Sequence, residues 1–123
     1  MTKKITLFGR IPSKKNSKRF LWKGGKQYLV PSEAHEAWWT EHMYKLKKHQ
    51  PPSPIEECQK IEFSFYMPDN RKTDLDNKAS SILDLLKDCL IIKDDAWQIT
   101  GDVLLYPMGI DRENPRCEVV ISY

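Results

Sequence analysis

The stretch Lys60–Met67 alternates without a break, with Ile61, Phe63, Phe65 and Met67 on one side and Glu62, Ser64 and Tyr66 on the other. A period of two over eight residues is the pattern of a β-strand that buries one face. Pro68-Asp69-Asn70 ends it in a turn. From about Leu75 the period changes, and Ala79, Ile82, Leu83, Leu86 and Leu90 form one apolar stripe at helical spacing. A one-faced strand and a one-striped helix in succession leave few solutions. The stripe has to cover the apolar face of a sheet that contains the strand.

The remaining segments fit that plan. Lys4–Arg10 reads as a strand with Ile5 and Leu7 on one face, the basic, Gly-containing residues 12–25 as a long loop or a wide hairpin, and Gln27–Val30 as a brief strand returning from it. Ser32 is placed to cap a helix whose first turn carries Glu33 and Glu36, with Trp39, Met43 and Leu46 as its apolar face. Pro51, Pro52 and Pro54 stop it. Ile99–Tyr106 and Cys117–Tyr123 read as two more strands, with a turn-rich link at residues 107–115. The order β, loop, α, β, α, β, β predicts a single α+β domain over residues 1–123, a mixed sheet with two main helices packed on it.

A chain of 123 residues builds one such domain with a real core and is too short for two. It has no apolar run long enough for a membrane span, and its first residues lack the pattern of a secretory signal. Cys58, Cys89 and Cys117 are odd in number and far apart, which reads as buried reduced thiols in a cytoplasmic protein. The net charge of +3 conceals a strong asymmetry. Residues 1–30 hold nine Lys or Arg and no acid, whereas residues 31–123 hold 11 bases and 17 acids. A basic segment on an acidic body points to a polyanionic partner. Within the basic loop at residues 10–26, Lys14, Lys15, Asn16, Lys18 and Arg19 stand beside Phe20 and Trp22, a mixture of cations, amides and aromatic faces suited to nucleic acid. Phe20 and Trp22 would serve equally well to pin the loop to the core.

The densest chemistry lies in residues 69–77, where Asp74 and Asp76 stand two apart, and in Asp94-Asp95 beyond the second helix. Carboxylates that converge repel one another unless a cation lies between them, and hard oxygen ligands select Mg²⁺, or Mn²⁺ as the alternative. Such an ion suits phosphodiester hydrolysis. A helix of roughly 15 residues spans about 22 Å, so the chain must fold back to bring Asp95 near Asp76. The plainer reading of the same residues has Asp74 capping the helix, Asp76 complementing its dipole and Asp94-Asp95 in a turn. His35 and His42, seven apart on one helix, have no ligand partner in the same turn and read as surface or half-buried residues. No Gly-rich phosphate loop or nucleophile elbow is present.

Met67-Pro68-Asp69 at a strand end, the basic residues Arg71 and Lys72, then Asp74-Leu75-Asp76-Asn77, an apolar helix and Asp94-Asp95 together resemble the RusA family of Holliday junction resolvases. Ile11-Pro12-Ser13-Lys14-Lys15-Asn16 resembles that family's opening loop. The resemblance implies a small homodimeric, Mg²⁺-dependent endodeoxyribonuclease, often of phage or prophage origin, that nicks opposing strands of a four-way DNA junction in recombination and repair. It puts the metal-binding and catalytic carboxylates on Asp74, Asp76 and Asp95. DNA contacts fall on the basic loop and on Arg71 and Lys72. Symmetric nicking needs two sites about a two-fold axis, and Trp38, Trp39, Phe63, Phe65 and Trp97 are candidates for a dimer interface.

One position departs from the family pattern. The lysine that commonly follows the motif Asn by three residues is Ser80 here. Its role falls to Lys78 by a local shift, although Lys78 lies about 200° around the helix from Ser80, or to Lys72 or Lys93, or is absent. Thr73 stands where a basic residue often precedes the first motif Asp. Two alternatives follow: a junction- or DNA-binding module with impaired catalysis, and a nuclease for other branched DNA. A PD…D-x-K reading of Pro68-Asp69 and Asp76-Asn77-Lys78 ranks well below the resolvase reading, because its gap is short and its second half opens a helix.

Overall fold

The computed structural model describes residues 1–13 and 18–123. Lys14, Lys15 and Asn16, three of the expected DNA contacts, lie outside the described residues together with Ser17. The elements are β1 (Thr2–Phe8), β2 (Lys18–Lys23), β3 (Lys26–Pro31), α1 (Glu33–Leu46), β4 (Lys60–Met67), α2 (Leu75–Asp88), α3 (Trp97–Thr100), β5 (Asp102–Ile110) and β6 (Arg116–Ser122), with a 3-10 turn at Lys47–His49. Four strands form a mixed sheet in the order β1-β6-β4-β5, and β2 and β3 pair as a separate two-stranded ribbon. The α+β architecture expected from the sequence is the one observed.

The alternating strand is the centre of the sheet. β4 pairs antiparallel with β6 and parallel with β5. Parallel neighbours require a long crossover, and residues 68–101 supply it with α2 inside. The core-side residues of the inner strands are sealed up to the end of β4: Ile61, Phe63, Phe65, Cys117, Val119 and Ile121 are buried, as are Ile5 and Leu7 on β1, while Met67 is half-buried. Ile82, Leu85 and Leu86 of α2 and Trp38 and Leu46 of α1 complete the same core. All three cysteines are free and buried. Burial pushes the Cys89 thiol up to about 11 and the Cys117 thiol up to about 12, with Asp88 and Glu118 respectively adding to the effect.

Four local expectations are corrected. Helix α1 buries Trp38, His42 and Leu46, while Trp39 and Met43 are only half-buried, so the apolar face is rotated by one residue and includes a histidine. Leu90 is not part of α2. The helix ends at Asp88, and Leu90 adopts a left-handed conformation with φ 59°. The amide of Leu90 donates to the Lys87 carbonyl and that of Ile91 to the Leu86 carbonyl, both at 3.0 Å, which is the Schellman closure of a helix. Residues 97–100 form a helical turn rather than the start of a strand. Finally, β5 runs through Pro107 to Ile110, because it is an edge strand where a missing amide hydrogen is tolerated. Gly101, at φ 65°, joins α3 to β5, and a Cβ there would run into the carbonyl oxygens of Cys58 and Gln59.

Candidate active site

The N-terminal end of α2 begins where the β4 turn releases the chain. Asp74 occupies the N-cap position in extended conformation, yet its side chain caps no amide. The capping half of the plainer reading is therefore not what the carboxylate does. It receives instead a long bond of 3.4 Å from the Asn77 side-chain amide. Asp76 is exposed in the first turn, where its charge complements the helix dipole. Its carboxylate has no partner among the described residues. Ser80 points its hydroxyl back to the Asp76 carbonyl at 3.0 Å. The side chain standing in the family lysine's place is thus committed to its own helix.

A cationic cluster closes one side of this end of α2. Asp69, in the turn after β4, is ion-paired with Arg10 and receives the Arg71 amide at 3.0 Å, with the Arg71 guanidinium at 3.5 Å. The Arg71 amide bond and then the Arg10 bond hold the Asp69 carboxyl below its ordinary range. Lys78 is buried at 4% exposure and donates its amine to the Ile11 carbonyl. Burial lowers its pKa, and Arg10 pushes the same way against Asp69. Lys78 therefore faces the Arg10–Asp69 pair and the start of the basic loop. The sequence reading missed Arg10 and Asp69 as a pair. Their 59-residue separation leaves no local pattern, although each stood in a segment already singled out.

Asp94 and Asp95 lie at the other end of the helix. The segment is anchored by a parallel bridge between Ile55 and Ile92 and by the Lys93 amide on the Ile55 carbonyl at 2.9 Å. Asp94 caps the Asp95 amide at 2.8 Å and sits 3.8 Å from the Lys87 amine in the last turn of α2. Asp76 and Lys87 are separated by roughly 16 Å of helix rise. The chain folds back after α2, but only as far as that last turn. Asp95 itself is exposed, with its carboxylate unpartnered among the described residues. Among the described residues, no three His, Cys, Asp or Glu side chains come together in a group able to hold a metal ion.

Other expected residues are distributed clearly. Arg71 and Lys72 are exposed beside Asp74, and Lys18 and Arg19 are exposed on β2. Phe20 and Trp22 are also exposed, at 66% and 69%, so they do not pin the basic loop to the core. Of the five aromatic residues considered for an interface, Trp38, Phe63 and Phe65 are core and Trp39 is half-buried, leaving Trp97 at 77% exposure. Lys93 is paired with Glu56 at 3.5 Å, away from α2's N-terminal end. His42 is fully buried rather than at the surface, and His35 is half-buried.

The family model of endodeoxyribonuclease RusA matches residues 11–122, nearly the whole chain. The chain belongs to the RusA family. The matched range takes in the basic loop, the residues 69–77 cluster, α2 and Asp94-Asp95, so the parts described above are those of a nuclease domain, with DNA as its substrate. No curated protein matches the chain. Among the described residues, no helix of this RusA-family protein is long and apolar enough to cross a membrane.

Proposed function

We propose that this protein is a structure-specific endodeoxyribonuclease that resolves four-way DNA junctions by paired nicking, with Asp74, Asp76 and Asp95 holding Mg²⁺. The observation that carries the reading is the state of the three carboxylates. Each is exposed, none caps an amide or pairs with a cation among the described residues, and two of them stand together at a helix N-terminal end. Solvent-facing carboxylates without a cationic partner fit a hard divalent ion, which takes oxygen ligands and keeps several waters. When bound, such an ion supplies an activated water and charge stabilisation at the scissile phosphate.

The separation of Asp95 from Asp74 and Asp76 supports a site shared between two copies. One chain would offer Asp74 and Asp76, and a second would bring Asp95. The surface around Asp95 suits such a meeting. Trp97 is exposed two residues away, and Tyr106, Met108 and Ile110 are exposed on the edge strand β5. Apolar surface of this kind is the usual mark of a protein interface. A two-fold dimer then has two sites, which paired nicking requires. Lys78 acts as a positioning residue in this scheme, fixing Ile11 and hence the root of the basic loop against α2. Lys72, exposed beside Asp74 and without an ion pair among the described residues, and Arg71, exposed with its guanidinium 3.5 Å from Asp69, are the cations placed to meet the phosphate.

A second reading has a specific observation behind it: the Lys78 amine is committed to the Ile11 carbonyl, and Ser80 fills the family lysine's place. That favours a junction-binding protein with impaired catalysis. One experiment separates the readings. Wild type and Asp76→Asn are incubated with a synthetic four-way junction, a flap and a linear duplex, with Mg²⁺ or Mn²⁺. Metal-dependent nicking of the junction by wild type alone supports the resolvase. Junction binding without cleavage supports the second reading, and preferential cutting of the flap points to another branched substrate.

A further inference from the structure

A second cationic surface lies along the edge strand β1, between it and the C-terminal end of α1 with its following 3-10 turn. It forms a pocket of about 840 Å³ walled by Lys4, Lys45, Lys47, Lys48, His42 and His49, and no Asp or Glu lines it. Lys45 is paired with Glu41 at 2.9 Å. The amines of Lys4, Lys47 and Lys48 have no ion pair among the described residues. The local field is positive enough to register on a neighbour: burial lowers the pKa of His49, and Lys48 and Lys3 push it further down.

The pocket also contains a buried polar atom without a mate. His42 is 2% exposed, and its Nδ1 lies 2.8 Å from the Trp38 carbonyl. A carbonyl only accepts, so Nδ1 carries the proton. Nε2 is left buried with no partner among the described residues. Gathered lysines without a counter-ion repel one another, and an unsatisfied buried nitrogen is uncommon in a finished core. Lysines gathered without a counter-ion belong to a surface that is completed by an anion, whereas His42 Nε2, left as an acceptor by the proton on Nδ1, calls for a donor and takes no part in holding one.

Strand β1 links the pocket to the turn that precedes α2. Lys4, Thr6 and Phe8 follow one another on the same side of β1, covering about 14 Å at the rise of an extended strand. Two residues past Phe8 is Arg10, which pairs with Asp69 at the N-terminal end of α2. A track of sheet-edge side chains therefore leads from the lysines at the end of α1, past the uncharged Thr6 and Phe8, to the Arg10–Asp69 pair. A free nucleotide would occupy a single spot on such a track, whereas a duplex backbone presents a phosphate about every 3.4 Å of axis on each strand.

We propose that this pocket holds the phosphate backbone of a duplex arm leading away from the nicked position, with Lys4, Lys47 and Lys48 as the contacts. The proposal rests on the nuclease reading above. All three lysines are exposed, so Lys4→Gln/Lys47→Gln/Lys48→Gln should fold, which its melting temperature checks. The test measures binding of the full chain to a four-way junction, in EDTA, across a salt series. The expected result is a plot of log K against log salt shallower by about 2.7, near 0.9 for each lost phosphate contact. Affinity at low salt should fall at least tenfold, while cleavage at saturating protein with Mg²⁺ stays within about twofold. A variant with the wild-type slope and affinity overturns the pocket proposal and leaves the nuclease reading standing. An unchanged slope with an altered sedimentation coefficient also overturns it, and assigns the pocket to a second copy of the chain. If wild type itself neither binds nor cuts the junction, the nuclease reading fails and the pocket proposal falls with it.

Discussion

Lys78 and Ile11 are 67 residues apart in sequence, and the amine of the first donates to the carbonyl of the second inside the core. This bond ties α2 to the root of the basic loop, and so joins the carboxylate end of the molecule to the segment proposed to meet DNA. It also decides what Lys78 can do. An amine held in a buried bond, facing Arg10 and Asp69, is a poor source of charge for a phosphate outside.

Lys78→Met is therefore expected to keep cleavage within about tenfold of wild type. Removing an oxyanion-stabilising donor costs about 10²–10³ in rate, and a loss of that size would give Lys78 a direct role. The methionine removes the burial penalty of the charge while leaving the Ile11 carbonyl without a donor. Stability should change by no more than about 2 kcal/mol by these opposing effects. Lys78→Ala, which also opens a cavity, should lose more, about 2–5 kcal/mol on the scale of large-to-small core substitutions. Denaturant unfolding of both variants checks the pair.

The Leu90 backbone offers a second test. A leucine at φ 59° closes α2 in a position where glycine has no steric cost, and its side chain is about half exposed. Leu90→Gly should stabilise the protein by up to about 1 kcal/mol, the strain removed less the entropy gained by the unfolded chain. A clear fall in the unfolding midpoint would mean that the Leu90 side chain contributes packing that outweighs its conformation.

Asp69 carries a pH dependence. The Arg71 amide, and then Arg10, keep its folded carboxyl ionised to lower pH than in the unfolded chain. As pH falls the unfolded state takes up this proton first. The stabilisation is therefore complete above the ordinary carboxylate value of about 3.9 and is lost as pH drops through the lower folded one. Melting temperatures measured from about pH 5 down to pH 2 should fall more steeply for wild type than for Asp69→Asn. Parallel curves would remove Asp69 from the acid response.

Much of the fold was legible because its signals are local. The alternation in Lys60–Met67 and the stripe from Ala79 to Leu86 each require only a few neighbours, and both elements lie where their periods put them. Boundaries failed where tertiary placement overrides pattern. Pro107 was read as a break, but an edge strand has room for it, and Leu90 fits a helical stripe although the chain turns left-handed there. For the site, Asp74 and Asp76 are neighbours in sequence and in space. Asp94-Asp95 stand by the last turn of α2, and no spacing along the chain encodes how far that segment folds back. The Lys78–Ile11 and Arg10–Asp69 links were invisible for the same reason: each joins segments some 60 residues apart.

The most direct test of the proposed shared metal site mixes two variants, each expected to be inactive. Asp76→Asn and Asp95→Asn are each expected to leave a four-way junction uncut with Mg²⁺, since either change damages both sites of a homodimer. In a mixed dimer, one site takes both substitutions and the other takes none. Unfolding the variants together and refolding them should restore nicking of single strands, with roughly a quarter of the wild-type number of intact sites for random two-fold pairing. A mixture as inactive as its parents would contradict the account, because carboxylates that act within one chain cannot complement one another.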